Sequence, residues 1–152
     1  MNPLQNTKFL NSVPPEAIHA DTTGFGFTEI DTLGYDYLTI IITLGATDIG
    51  LTALALTEGD TSGSGHANIT GTVYGTATDI AGTTSVLPAL GDGDEVFVYE
   101  LDLKTRKRYI DATITPGDGS TGMFLSAVSI LSRAGEAPTT AAARGCNQIL
   151  RV

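Results

Sequence analysis

Four large aliphatic residues in strict alternation constrain this chain more than any other feature. Between Tyr35 and Leu44, the residues Leu38, Ile40, Ile42 and Leu44 alternate with Tyr37, Thr39, Ile41 and Thr43. A period-2 strand gathers the four aliphatics on one side, and that side must be buried. The Thr-rich side is left half-covered or facing a partner. The Gly-Ala-Thr-Asp-Ile-Gly connection at 45–50 then leads into a second β-rich run, Leu51–Thr57. There Leu51, Ala53 and Ala55 fall on one side and Leu54 and Leu56 on the other, with small residues that admit a second layer. Two strands joined so tightly predict a hairpin at the centre of a β-sandwich.

The same alternation recurs along the chain. Thr22–Ile30 sets Phe25, Phe27 and Glu29 against Gly24, Gly26 and Thr28, an expected strand in which Gly26 lets another strand come close. Glu95–Leu103 sets Phe97, Tyr99, Leu101 and Leu103 against Val96, Val98 and Glu100. Arg108–Thr115 alternates Ile110, Ala112 and Ile114 with Tyr109, Asp111 and Thr113. After the turn signal Pro116-Gly117-Asp118-Gly119-Ser120, Met123–Ser132 places Phe124, Val128 and Ile130 on one face. These last three runs read as an antiparallel meander. Ile69–Thr78 reads as a weak, glycine-interrupted strand, Thr139–Arg144 as one helical turn, and Gln148–Val152 as a short last strand. About eight strands without an amphipathic helix predict an all-β, antiparallel β-sandwich of jelly-roll-like type. Residues 1–17, which include Pro14-Pro15, read as an extended N-terminal arm. It lies on its own domain or clasps a neighbour. Residues 18–152 read as a single domain, in keeping with the length of 152 residues.

Charge narrows the function classes. A formal charge of −9 and a pI near 4.4 argue against general nucleic-acid affinity, which needs clustered Lys and Arg. Four of the basic residues nevertheless sit together: Lys104, Arg106, Lys107 and Arg108. Either this is a solvated tip between strands, or it makes an electrostatic contact with an acidic neighbouring subunit. No basic stretch followed by an apolar core marks a secretory signal at the N-terminus. No apolar run approaches the roughly 20 residues that span a membrane. A lone Cys146 excludes an internal disulfide.

Catalytic and metal-binding patterns are each incomplete. His19 and His66 lack a partner at metal-ligand spacing. Asp92, Asp94 and Glu95 lack the later glutamate and glycine of a calcium loop and read as turn residues. Ser64, in Gly63-Ser64-Gly65-His66, lacks the Gly-x-Ser-x-Gly context of a nucleophile. Cys146 beside Asn147 lacks the signatures of a cysteine protease. The Gly-x-Gly pairs at 24/26, 63/65, 91/93 and 117/119 precede no helix, so they make no phosphate cradle of the usual kind. The expectation is a protein that is not an enzyme and carries no cofactor.

Several segments together resemble a group of small structural proteins of tailed bacteriophages. The matching stretches are I-D-T-L-G-Y-D-Y (30–37), L-G-A-T-D-I (44–49), A-L-A-L-T-E-G-D-T-S-G (53–63), L-D-L-K-T-R-K-R-Y (101–109), G-D-G-S-T-G (117–122) and A-V-S-I-L-S-R-A (127–134). The resemblance implies a virion protein, above all a capsid decoration (cement) protein on the capsid surface, assembled in the host cytoplasm. It implies the major capsid protein as partner and a homo-oligomer, with a trimer favoured. The expected contacts are the arm, the 59–94 loops and the tip formed by Lys104, Arg106, Lys107 and Arg108. A tail, neck or fibre-associated position is the alternative within that class. A carbohydrate- or calcium-dependent binding module is the alternative outside it.

Overall fold

Two four-stranded antiparallel sheets face each other in the computed structural model, which describes residues 4–15, 19 and 22–150. Among the described residues the strands are β1 (Lys8–Val13), β2 (Ile30–Asp31), β3 (Tyr35–Thr47), β4 (Leu51–Gly59), β5 (Ala67–Asn68), β6 (Val96–Asp102), β7 (Tyr109–Pro116) and β8 (Met123–Ala134). The first sheet runs β1-β8-β3-β6 and the second β2-β7-β4-β5. The all-β sandwich expected from the alternation is the observed architecture.

Its core is the aliphatic face that opened the sequence. Leu38, Ile40 and Ile42 are fully buried and Leu44 nearly so. They join Leu54 and Leu56 of β4, Ile110 and Ile114 of β7, and Leu125 and Leu131 of β8 in one apolar cluster. Burying each such side chain contributes about 1.5–3 kcal/mol.

The expected central hairpin is not formed. β3 and β4 lie in different sheets, and 45–50 is an arch that carries the chain across the sandwich. The reason is the hydrophobic faces themselves. A hairpin would set the Leu38–Leu44 face beside the Leu54/Leu56 face on one sheet, whereas the arch lets the two layers bury each other. The meander is corrected in the same way, because β6 and β8 belong to the first sheet and β7 to the second. Between β6 and β7 a single 3₁₀ turn, Leu103–Thr105, makes the crossing. Asp102 caps it by accepting the Lys104 N–H at 2.9 Å, and Leu103 is buried beneath it.

Smaller differences follow from hydrogen bonding. Over Thr22–Ile30 only a bridge from Phe25 to Ile114 and the short β2 are regular. Instead the segment is held by the Phe27 N–H donating to Asp111 Oδ1 at 2.7 Å. Gly26 does permit the close approach expected of it, since a Cβ there would lie 2.8 Å from the Ala112 carbonyl oxygen. Ile69–Thr78 forms turns rather than a strand. Tyr74 N–H donates to Leu54 O and Ile69 N–H to Leu56 O, which ties the segment along β4. Thr139–Arg144 does contain the expected turn, with Arg144 N–H donating to Thr140 O at 3.2 Å. Residues 148–150 are not a strand, and 151–152 lie outside the described residues. Within the expected N-terminal arm, Lys8–Val13 is a strand paired to β8, driven by Val13, which is buried in the core. Residues 1–3 and 16–17 of the arm lie outside the described residues.

Asp48 fastens the arch. Its Oδ2 accepts the backbone N–H groups of Ser120 and Thr121 and both hydroxyls, at 2.7 Å from Thr121 N and 3.0–3.1 Å from the hydroxyl oxygens. The arch is thereby tied to the β7–β8 connection. Donation from the Ser120 and Thr121 amides stabilises the carboxylate and lowers its pKa to about 2. A carboxyl depressed in the folded state adds stability above its unfolded pKa and loses it as pH falls through the folded value. The Asp48 contribution is therefore expected to vanish between about pH 4 and about pH 2. Glu29, Asp31 and Asp79 are also held below the usual range by hydrogen bonds. In Asp48→Asn, the denaturation midpoint should fall less steeply over that window than in the parent, and the remaining slope should come from those three groups.

Candidate functional site

The basic tip is built where the 3₁₀ turn enters β7, beside the ends of β4 and β2. Three of its four cations face carboxylates of the same chain. Arg106 Nη1 lies 3.5 Å from Glu58 Oε1, and Lys107 Nζ lies 3.0 Å from Asp60 Oδ2. Arg108 forms a fork on Asp31, with Nε 2.8 Å from Oδ1 and Nη2 2.7 Å from Oδ2. The Arg108 guanidinium lowers the Asp31 pKa, and Asp31 in turn raises that of Arg108. Among the described residues Lys104 alone of the four has no ion pair. The structure thus brings Arg106, Lys107 and Arg108 to one corner, but spends their charge on Glu58, Asp60 and Asp31. Exposed pairs of this kind add little stability. They leave the corner close to neutral, which removes most of the attraction expected toward an acidic neighbour.

A second surface lies at the edge strand β6. The faces of β6 separate as its alternation predicted: Tyr99 and Leu101 are buried, while Val96 and Val98 are 56% and 45% exposed. Beside it, residues 71–86 fold back as a wall. Tyr99 Oη donates to the Thr72 carbonyl at 2.9 Å, and Tyr74 meets Phe97 and Tyr99 edge-on at 6.0 and 5.4 Å. Burial pushes the Tyr99 phenol pKa well up, so it stays a donor. Between wall and strand runs a trough of about 750 Å³, whose lining includes Ile80, Val86, Val98, Asp79 and Glu100. At the rim, Asp79 Oδ1 accepts the N–H groups of Ala81 and Thr83 and Oδ2 the Thr83 hydroxyl, each at 2.9 Å. That turn holds Ile80 out, fully exposed.

Sequence reading pointed to 59–94 as contact loops but missed that 71–86 walls β6. The overlooked signal is charge. From residue 9 to residue 103 the chain has no Lys or Arg, so the loop and β6 carry acids only.

The remaining candidates resolve into local roles. Asp92 Oδ2 accepts the Ala89 N–H at 2.8 Å and Glu95 N–H donates to Asp92 O, a turn as expected. His19 stacks on Phe25 with centroids 3.8 Å apart. His66 Nε2 lies 3.2 Å from Glu29 Oε2, a carboxylate that also accepts the Gly63 N–H at 2.7 Å. Ser64 is exposed in a turn closed onto Thr61. Cys146 is a half-buried free thiol. Among the described residues no three or more His, Cys, Asp or Glu side chains converge on a common point that could hold a metal ion. No protein-family model, curated protein or solved structure matches this chain.

Proposed function

We propose that this chain is a structural virion protein, a capsid decoration protein that binds the major capsid protein lattice and stabilises the head as a homo-oligomer, a trimer for preference. The observation that carries this reading is the outer face of the first sheet. Register places Val128, Ile41 and Val98 in one row across β8, β3 and β6, with Asn11 of β1 at its end. Thr43 and Val96 lie in the next row on one side, and Ile130, Thr39 and Glu100 on the other. Val96, Val98, Val128 and Phe124 are each 42–56% exposed. Acids reach this face only on the edge strand, at Glu100 and Asp102. Such a flat, one-sided surface of aliphatic and Thr side chains suits docking onto a lattice, and a modest contact repeated within an oligomer gains through effective concentration.

The strand order supports the same reading. Two four-stranded sheets with nearly every successive strand crossing between them favour a jelly-roll-like plan, one that capsid domains use along with lectins and cupins. That is a fold-level analogy, and the exposed sheet face is what favours the virion role over the others.

Quantitative mass spectrometry of purified particles of the phage that encodes this chain tests the reading. The expected copy number tracks that of the major capsid protein. A count far below it moves the protein to the neck, tail or fibre. Absence from the particle overturns the proposal.

A further inference from the structure

We propose that the free edge of β6 is a strand-accepting site for an extended segment of a partner protein that carries aliphatic and basic side chains on one face. The inference stands on this edge alone and does not require the virion reading.

The edge is open where the others are closed. β6 ends its sheet. Leu44 N–H donates to Glu95 O at 3.1 Å, which phases the antiparallel ladder. The N–H and C=O groups of Val96, Val98 and Glu100 therefore point away from β3. At the opposite edge of the sheet, β1 is met by the C-terminal turn, with Phe9 N–H donating to Arg144 O at 2.8 Å. The second sheet ends in two-residue strands, β2 and β5. Long exposed edges are ordinarily blunted by Lys, Pro, a bulge or a covering segment. β6, with the sequence VFVYELD, has neither Lys nor Pro. The 71–86 wall stands off it across the trough rather than pairing with it.

The trough specifies the occupant. An added strand lies about 4.8 Å from β6, where its backbone completes the unpaired groups, the mode of β-augmentation. Its aliphatic side chains would meet Val96 and Val98, with Val86 and the projecting Ile80 along the wall. On the same face, two residues further along, a basic side chain would meet Glu100, with Asp79 across the trough, while Asp92, Asp94 and Glu95 lie just before the strand at its other end. No cation between residues 9 and 103 answers these acids. The basic cluster beyond β6 is already engaged by Asp31, Glu58 and Asp60, except for Lys104. A second copy is the wrong occupant, because it brings the same acids and a charge of −9 to a contact where like charges repel.

The test uses the synthetic peptide Thr-Lys-Thr-Val-Thr-Val-Thr-Lys-Thr, about nine residues long so as to span β6, in which the valines and lysines share one face. The equally charged peptide with glycine in place of the two valines is the control. Amide hydrogen exchange and titration calorimetry on the whole chain are read together. The expected result is slowed exchange at Val96, Val98 and Glu100 with the valine peptide only. Affinity should weaken about tenfold or more in Val98→Lys and in Glu100→Lys. Both positions are exposed, so neither variant should alter the unliganded fold, and unchanged thermal melting checks this. Equal binding of the two peptides, protection elsewhere than β6, or variants that bind like the parent would each overturn the site. Self-association of the chain that protects the same three amides would assign the edge to a second copy instead.

Discussion

Alanine at Arg144 is expected to lower the unfolding free energy by about 3 kcal/mol, from the loss of several charge-assisted bonds to buried acceptors. Arg144 is 4% exposed. No carboxylate pairs with it among the described residues. Its Nε donates to Thr7 O at 3.0 Å, and Nη2 donates to Thr7 Oγ1 at 3.1 Å and to Leu4 O. The guanidinium also lies 5.6 Å from the centre of the Phe9 ring. Through its own carbonyl the same residue accepts the Phe9 N–H. A single arginine therefore clasps the C-terminal turn to the segment leading into β1, and its removal strands the buried Thr7 carbonyl. Lysine should restore little, because an ammonium on a flexible stem cannot present the planar fork. Gly145→Ala attacks the clasp from the backbone. Gly145 has φ +73°, and a Cβ there would fall 1.9 Å from the Phe9 carbonyl oxygen, which no side-chain rotation relieves. Urea denaturation at constant m should show both losses, and hydrogen exchange should speed at Phe9 before it speeds at Ile40. A loss under about 1 kcal/mol for Arg144→Ala would mean the clasp is ornamental.

How far the sequence alone reaches is visible in β3 and Arg144. Leu38, Ile40, Ile42 and Leu44 announce a buried face because period-2 alternation is a local property, and all four are buried. The runs that became β4, β6, β7 and β8 were legible for the same reason. Which sheet each strand joins is not local. Alternation is identical for a hairpin and for an arch, so the partners of β3 turn out to be β6 and β8 rather than β4. Arg144 gave no signal, since its acceptors at Leu4 and Thr7 lie about 140 positions away. The basic tip was found by its composition, yet the acids that neutralise it come from the ends of β2 and β4 and from Asp60. The trough was half legible. Outward Val96, Val98 and Glu100 could be read from the alternation, but the wall at 71–86 depends on Tyr99 reaching Thr72.

Gly50→Ala should cost about 2–3 kcal/mol, the upper range for forcing extra volume into a packed site. The arch between the sheets closes on bare backbone. A Cβ at Gly50 would lie 2.7 Å from Pro88 O and 2.9 Å from Ala89 Cα. Neither is the movable end of a side chain. The same spot carries the Leu51 N–H to Pro88 O bond at 2.9 Å and the Gly117 N–H to Gly50 O bond at 3.0 Å, so relief by a backbone shift would break both. Gly34→Ala is the informative contrast. Gly34 sits at φ +86° with nothing within 4 Å of a Cβ, so its cost should be only the backbone strain of roughly 1 kcal/mol. Denaturant midpoints for the two variants separate crowding from conformation. If Gly50→Ala proved as mild as Gly34→Ala, the arch would have slack, and the tight crossing of 45–50 over 88–89 would not be what directs β4 into the second sheet. If it is the costlier of the two, that crossing is a rigid corner, and the arch that the hydrophobic faces favour closes only where residue 50 carries no side chain.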